Sequence, residues 1–442
     1  MSRICFVADD LTGASDVLAL AHRLGLSAIL LLNGDDAGLG ADHDVVGLAT
    51  PARSLSGDAL RATVRDAASS LAPLAPAVLL YKVCSTFDSS PTTGSIGAAL
   101  ETLLEGQPDH GPVPVIPAQP AFGRYTAFSQ HFARAGEQVY RLDRHPIMSC
   151  HPSTPMDESD LRLVLSGQLT GTPDIPGLAL PDLAPERLDR AWARHRSATP
   201  MAFIVDALDE VHLRDVGRQL LADVHRPALV AGSGGMMTGL GLALGGSPIP
   251  QPEQRWSTGP VLAVSASASA TTAAQIDHAI EHGWVELPLI TEARDVGVDD
   301  TTVQRLIHEL TAGRSVIVHT ARGPHDPRVA SDRPLPPSVA GQALAALVRA
   351  AVQRGLTRDV AVLGGDTSTH TLLNLGVRSL RVAEQFVVGA PVCAADSDSV
   401  LAGCRILLKG GQVGGPDVLT AFAGKTRPNT PPPATAPDQE TP

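Results

Sequence analysis

Aromatic side chains are scarce in this chain: 3 Trp, 3 Tyr and 8 Phe amount to 3% of 442 residues. Rings for stacking on bases are few, no Lys/Arg cluster interleaves with them, and a formal net charge of -12 has the wrong sign for a nucleic-acid surface. Cysteine is as thinly spread. Cys5, Cys84, Cys150, Cys393 and Cys404 are odd in number and form no C-x-x-C pair, which argues against a disulfide framework or a zinc knuckle and fits reduced thiols. No stretch reaches the roughly eighteen uncharged residues of a membrane span, and no basic segment leading into an apolar one precedes the first apolar run. The expectation is a cytoplasmic protein with neither a membrane nor a nucleic-acid partner.

What the chain does have is 41 Gly, 36 Pro and 43% hydrophobic residues, the composition of a loop-punctuated α/β protein without internal repeats. Its length exceeds what one hydrophobic core usually covers, so two domains are expected. The stretch Val7-Ala8-Asp9-Asp10-Leu11-Thr12-Gly13-Ala14-Ser15-Asp16 reads as strand, acidic turn and helix start, which puts three carboxylates at one sheet edge. A helix cap at Asp10 or Thr12 is the plain reading of one such residue. Two adjacent carboxylates repel each other and a cap needs only one, so a cation is expected nearby.

Strand and helix alternate from there, with strands at 28–32, 45–49, 77–81, 113–116, 202–205 and 228–231 and helices at 60–71, 96–104, 161–165 and 211–221. Asp157 is a candidate cap for the helix at 161, and residues 170–184 read as loop. Domain boundaries are expected at 1–245, a linker at 246–258, a second α/β domain at 259–425 and a Pro-rich disordered tail at 426–442.

Three strand-to-helix loops of the second half could hold phosphate: Ser265-Ala266-Ser267-Ala268-Ser269, Gly364-Gly365-Asp366-Thr367-Ser368, and Lys409-Gly410-Gly411-Gln412-Val413-Gly414-Gly415. Each alone is an ordinary turn composition; three at the strand ends of one domain favour a nucleotide. Gly424-Lys425-Thr426 only mimics a P-loop, since Leu419 stands where the first glycine belongs, and the Gly232 loop has Met237 in the last position of the dinucleotide fingerprint. In the first half Arg53, Lys82, Ser85, Thr86 and Arg124 follow successive strands and offer cations for a carboxylate and hydroxyls for a polyol. His145 and His151 are loop histidines open to an acid-base or a structural reading.

These motifs together resemble the four-carbon acid sugar kinase family, which has a sugar-binding N-terminal and a nucleotide-binding C-terminal domain. The carriers are residues 8–16, Cys84-Ser85-Thr86-Phe87-Asp88-Ser89, residues 117–124 with Thr126, residues 151–156, Gly364-Gly365-Asp366-Thr367-Ser368 and residues 409–415, so the likeness runs to about Phe422. It implies an α/β fold of two domains, each a largely parallel sheet flanked by helices, with the active site in the cleft between them. It also implies ATP, Mg²⁺ and transfer of a phosphoryl group to the terminal hydroxyl of a small sugar acid. Cys84-Ser85-Thr86-Phe87-Asp88 and Thr154-Pro155-Met156 look closest to the 3-oxo-tetronate 4-kinase branch; 3-oxo-isoapionate, threonate and erythronate are the other acids of the family. Two departures stand out: Ala266 where the family loop usually begins with Gly, and Gly410 where it usually has Ser.

The resemblance assigns Asp10, Asp16 and Asp366 to catalysis, and Asp9, Asp10, Thr12, Arg53, Lys82, Ser85, Thr86 and Arg124 to the sugar acid. Ser267, Ser269, Gly364, Gly365, Asp366, Thr367, Gly411 and Gly414 are assigned to the nucleotide, with Asp9 and Asp366 as metal candidates. A homodimer is left open. Rival readings are an NAD(P)-dependent oxidoreductase on the same acids and a non-catalytic sugar-acid binder.

Overall fold

The structure, a computed structural model, describes residues 3–150, 154–198, 201–250, 255–289, 298–328 and 335–424. The expected linker is thus described in part, and the Pro-rich tail lies outside the described residues.

Apolar, β-branched runs form the strands. The first half contributes β1 (Ile4–Ala8), β2 (Ala28–Leu31), β3 (Val45–Ala49), β4 (Val78–Lys82), β5 (Val113–Ile116), β6 (Arg124–Ala127), β7 (Gln130–Ala135), β8 (Gln138–Arg141), β9 (Gly177–Leu178), β10 (Ala202–Val205) and β11 (Ala228–Gly232). The second contributes β12 (Val261–Ser265), β13 (Val285–Pro288), β14 (Val316–His319), β15 (Asp359–Leu363), β16 (Ser379–Val387), β17 (Ala390–Ala395) and β18 (Arg405–Lys409). The helices are α1 (Leu11–Arg23), α2 (Gly57–Leu71), α3 (Ile96–Glu105), α4 (Leu161–Ser166), α5 (Pro185–Arg196), α6 (Glu210–Leu221), α7 (Gly234–Ala243), α8 (Ala270–Glu281), α9 (Asp300–Thr311), α10 (Pro337–Gln353), α11 (Gly365–Asn374) and α12 (Val418–Phe422).

Fifteen strands join one sheet in the order β13-β14-β12-β15-β18-β17-β16-β2-β3-β1-β4-β11-β5-β10-β9. The two halves are each parallel within themselves, as the alternation of strand and helix demands. The hairpin β16–β17 joins them: β17 pairs antiparallel with β18, and β16 pairs antiparallel with β2. This continuity refines the picture of two separate sheets. Side chains alternate between faces, so Ile4, Phe6 and Ala8 of β1 share one core with Leu262 and Val264 of β12. Cys5 and Val7 face a second core in the first half, and Val261 and Ala263 a third in the second half.

The hairpin has a consequence for the site. Three antiparallel pairings make the first-half strands run opposite to β18, so a flat sheet would point the two carboxyl edges away from each other. Register breaks in β16–β17, at Val382/Glu384 and Glu384/Val387, are of the kind that adds twist. Helix α1 lies across this joint, packing on α11 and on β16 and β17, and Gln385 donates to the Ala19 carbonyl at 2.6 Å.

Two local expectations are corrected. Asp160, not Asp157, caps α4, accepting from Arg162 N, because the helix begins only at Leu161. Residues 170–184 are not loop throughout: they hold β9, which pairs with β10, and a short 3-10 turn at Leu180–Leu183. A second, three-stranded antiparallel sheet, β6-β7-β8, rises beside the 84–89 loop.

Candidate active site between the two halves

The acidic turn follows β1; of its neighbours, β3 is followed by Thr50 and β4 ends in Lys82. Asp9 is 4% exposed and takes both guanidinium donors of Arg53, Nε at 2.9 Å and Nη2 at 2.6 Å. Asp10, also 4% exposed, caps α1: Oδ1 accepts from Gly13 N at 2.9 Å and lies 2.9 Å from Arg53 Nη2, while the Thr12 hydroxyl donates to Oδ2 at 2.5 Å. Asp10 is therefore the cap; Thr12 sits one residue inside the helix and acts on it. Arg53, expected both to grip the substrate carboxylate and to offer a cation to the acidic turn, pairs with both carboxylates, which answers the charge problem they pose.

Burial raises the pKa of Asp9 above the ordinary carboxylate value. It opposes ionisation of Asp10 too, but the Arg53 guanidinium and the Lys82 ammonium outweigh it and hold Asp10 below that value. Asp16 differs. Its Oδ2 accepts from Gln119 Nε2 at 2.8 Å, it packs against Gly234 at the start of α7, and burial raises its pKa.

Lys82 is 3% exposed and its side chain makes no hydrogen bond or ion pair among the described residues, although all three aspartates lie within its field. It stands over the acidic turn: a Cβ added to Gly13 would lie 2.6 Å from its Nζ. An ammonium so placed is a ready partner for an incoming anion or carbonyl. Arg124 donates to the Phe122 and Arg134 carbonyls at 3.1 and 3.0 Å, and no carboxylate pairs with it among the described residues.

The 84–89 loop turns on Phe87, fully buried at φ +58, a left-handed conformation that bulky residues rarely hold. Thr86 donates to Asp88 at 2.8 Å, and the Ser85 carbonyl accepts from His131 Nε2 at 2.8 Å. That partner fixes the tautomer, so Nδ1 of His131 accepts from the Thr126 hydroxyl at 3.0 Å. The Ser85 side chain makes no hydrogen bond among the described residues. Burial pushes the Cys84 thiol up to about 11, so it is no nucleophile at neutral pH. His145 is structural, its Nδ1 accepting from the amides of Ile147 and Met148 at 3.2 Å each; His151 lies outside the described residues.

The second half brings its three loops to the same place. Gly364, at φ +106, ends β15 against Ser267, and α11 starts at Gly365. A Cβ on Gly365 would lie 3.7 Å from Asp10 Oδ2, and one on Gly410 would lie 3.6 Å from Thr12 Oγ1. The acidic turn and two of the loops are thus in van der Waals reach. A serine Cβ at Gly410 would meet only such ordinary contacts, so crowding does not explain the glycine there. Gly411 is tighter: its Cβ would come within 2.8 Å of Ser267 Oγ.

Of the serines expected to hold a nucleotide, Ser269 is committed elsewhere. Its oxygen caps α8 by accepting from Thr272 N, and its hydroxyl donates to the Gly411 carbonyl. Ser267 Oγ lies 3.1 Å from Thr272 Oγ1, whose single proton is also within reach of the Gly411 carbonyl. Gly414, at φ +84, lies in the 410–415 strap, whose carbonyls are bound by side chains of α8. The side chains of Asp366 and Thr367 lie outside the described residues. Gln119, Thr272 and Gln275 were not anticipated, because their partners are more than 100 residues away in sequence.

Gly234 and Gly235 open α7 with no space for a dinucleotide. A Cβ on Gly235 would strike the Ala118 carbonyl and one on Gly234 the Asp16 carboxylate, so these glycines serve close packing. Among the described residues no group of three or more His, Cys, Asp or Glu is arranged to hold a metal ion, and no helix is long and apolar enough to cross a membrane. Both oxygens of Asp9 accept from Arg53, so a metal there would share them with the guanidinium.

Comparison with known proteins gives this architecture a family. Over 440 residues the chain is 34% identical to the 3-oxo-isoapionate kinase of Paraburkholderia graminis, covering 93% of this chain and 92% of that one. It is 29% identical to the 3-oxo-tetronate kinase of Cupriavidus necator, covering 93% and 94%. Solved structures from Salmonella typhimurium and Haemophilus influenzae share the fold at TM-scores of 0.72 and 0.69, each 21% identical, covering 95% of this chain and 98% and 99% of theirs. Residues 4–240 match the sugar-binding N-terminal domain and residues 262–419 the nucleotide-binding C-terminal domain, and the chain belongs to the four-carbon acid sugar kinase family, whose members are phosphotransferases.

Proposed function

We propose that this protein phosphorylates the terminal hydroxyl of a small 3-oxo sugar acid with ATP. The observation that carries the reading is the approach of Asp10 to the Gly364–Gly365 turn, where a Cβ on Gly365 would lie 3.7 Å from Oδ2. Glycines at 364, 365 and 411 leave a backbone that a triphosphate can approach, so the residues suit ATP. Bound with its nucleotide, Mg²⁺ would neutralise phosphate charge; no resident metal site is invoked.

Lys82, Arg124 and the free Ser85 hydroxyl hold the acid's carboxylate and oxo groups. Its terminal hydroxyl then lies between Asp10 Oδ2 and the γ-phosphate. The hydroxyl oxygen forms a bond to phosphorus, the bond from phosphorus to the β,γ-bridging oxygen breaks, and ADP leaves with that electron pair. The hydroxyl proton passes to Asp10. A carboxylate held at low pKa is a weak base, but a loose phosphoryl-transfer transition state asks mainly for positioning and charge balance. Asp16, beside Gln119 and away from the nucleotide loops, binds substrate hydroxyls.

The relatives' identities, 34% and 29%, support a 3-oxo acid as substrate. ADP release measured with 3-oxo-isoapionate, 3-oxo-tetronate, threonate and erythronate tests the reading. Turnover confined to the two 3-oxo acids is expected; turnover of threonate or erythronate alone would overturn the oxo-acid assignment, and none with any acid would overturn the kinase.

A further inference from the structure

The 410–415 strap is bound to the protein almost wholly through its carbonyls. Lys409 Nζ donates to the carbonyls of Gly410 at 2.7 Å and Val413 at 3.2 Å. Ser269 and Thr272 donate to that of Gly411, the latter at 3.2 Å. Gln275 Nε2 reaches three in succession, Val413 at 3.0 Å, Gly414 at 3.1 Å and Gly415 at 3.0 Å. Five of the six carbonyls are thereby turned toward α8 and β18. The amides fare differently: that of Val413 donates to Gly410, while those of Gly411, Gln412, Gly414 and Gly415 have no acceptor among the described residues.

We infer that Gln275 and Lys409 are positioning residues for the nucleotide, fixing the strap's carbonyls inward so that its free amides form the phosphate cradle. A peptide plane carries its N–H opposite its C=O, so pinning one group aims the other. Ser267 and the Gly364 turn face the same strap across Gly411, and successive unpaired amides around a left-handed glycine, here Gly414, form an anion-binding concavity. Gln275 is fully buried, and its Oε1 has no partner. The orientation of its amide is therefore dictated by the three carbonyls alone, since the reversed amide would set oxygen against oxygen. Buried Lys409, with no carboxylate bound to it, has the same task on the strand side; desolvation lowers its pKa to about 7.

The inference rests on the kinase reading, and the test separates the two. Wild type, Gln275→Leu and Lys409→Met are compared in ADP affinity by calorimetry and in KM for ATP and for the sugar acid. The expected result is an ADP Kd and ATP KM raised about tenfold or more in Gln275→Leu, with the sugar-acid KM within about twofold. An unchanged ATP KM, or an equal rise in both KM values, overturns the inference. Hydrogen exchange of the wild-type strap provides a readout that needs no variant: ADP should protect the amides of 411–415, and unchanged exchange also overturns it. Failure of wild type to bind ADP would remove both readings, whereas ADP binding indifferent to Gln275 removes this one alone.

Discussion

Arg53 shows how a single side chain changes the meaning of the acidic turn. Asp9 and Asp10 are buried side by side, and one guanidinium spans both. Removing one partner from a buried ion pair leaves an uncompensated charge, so Arg53→Met should lower the unfolding free energy by about 3 kcal/mol or more, read by denaturant melts at pH 7. Arg53→Met with Asp9→Asn should recover part of the loss. The same group sets a pH signature. Asp10 is held below the ordinary carboxylate pKa and Asp16 above it. With Asp10 as the base, kcat/KM stays level as pH falls until below that ordinary value; with Asp16, the acid limb begins above it. The profile measured over the pH range where the enzyme stays folded distinguishes the two.

Among the elements, α1 and α7 show which parts of the site could be read from sequence. The acidic turn, the Gly364 turn and the 410–415 strap are local: each follows an apolar strand and opens on Gly, Ser or Asp, and each was legible as such. A cation beside the acidic turn was expected, with Arg53 among the candidates, but its two-pronged grip across 44 residues was not legible, nor was the Gln275 hold on a strap about 140 residues away. Strand pairing hides in the same way. Gly389, at φ +77, marks the turn between β16 and β17, but nothing in residues 379–395 reveals that they stitch two half-sheets together, and β6 turns into β7 on Phe128-Ser129, both left-handed without a glycine. Asp206 explains that turn, accepting from the amides of Phe128 at 2.6 Å and Ser129 at 2.9 Å. The Gly232–Gly235 loop illustrates the opposite error, a glycine run whose purpose is packing. Gly235→Ala should cost about 1–3 kcal/mol of stability through its clash with Ala118, with ADP affinity unchanged. Thermal melts and calorimetry check both halves of that statement.

Across the whole molecule, buried histidines make stability fall as the pH falls. His110 is 1% exposed, its Nε2 accepting from Leu229 N and its Nδ1 donating to the Gly111 carbonyl. Burial lowers its pKa to about 4 and that of His131 likewise. Below the ordinary histidine value of 6.5 the unfolded chain takes up protons that the folded one refuses until about pH 4. The stability these groups contribute is therefore present above pH 6.5 and is lost as pH falls toward 4, on the order of 3 kcal/mol for each. His131 ties the 84–89 loop to the antiparallel sheet, so that loop should loosen in the same window; melts from pH 7 to pH 4 should trace the decline. One sheet and one shared core join the halves and hold the acidic turn against the Gly364 turn and the 410–415 strap, across the cleft proposed for the reaction.

The most direct test of that cleft is a comparison of wild type and Asp10→Asn in turnover of a 3-oxo sugar acid, with ADP affinity measured alongside. The expected result is a fall in kcat of about 10²-fold or more with ADP affinity unchanged, because Asp10 meets the transferred group and not the nucleotide's bound portion. Near-full turnover by Asp10→Asn, with an unaltered pH profile, would contradict it.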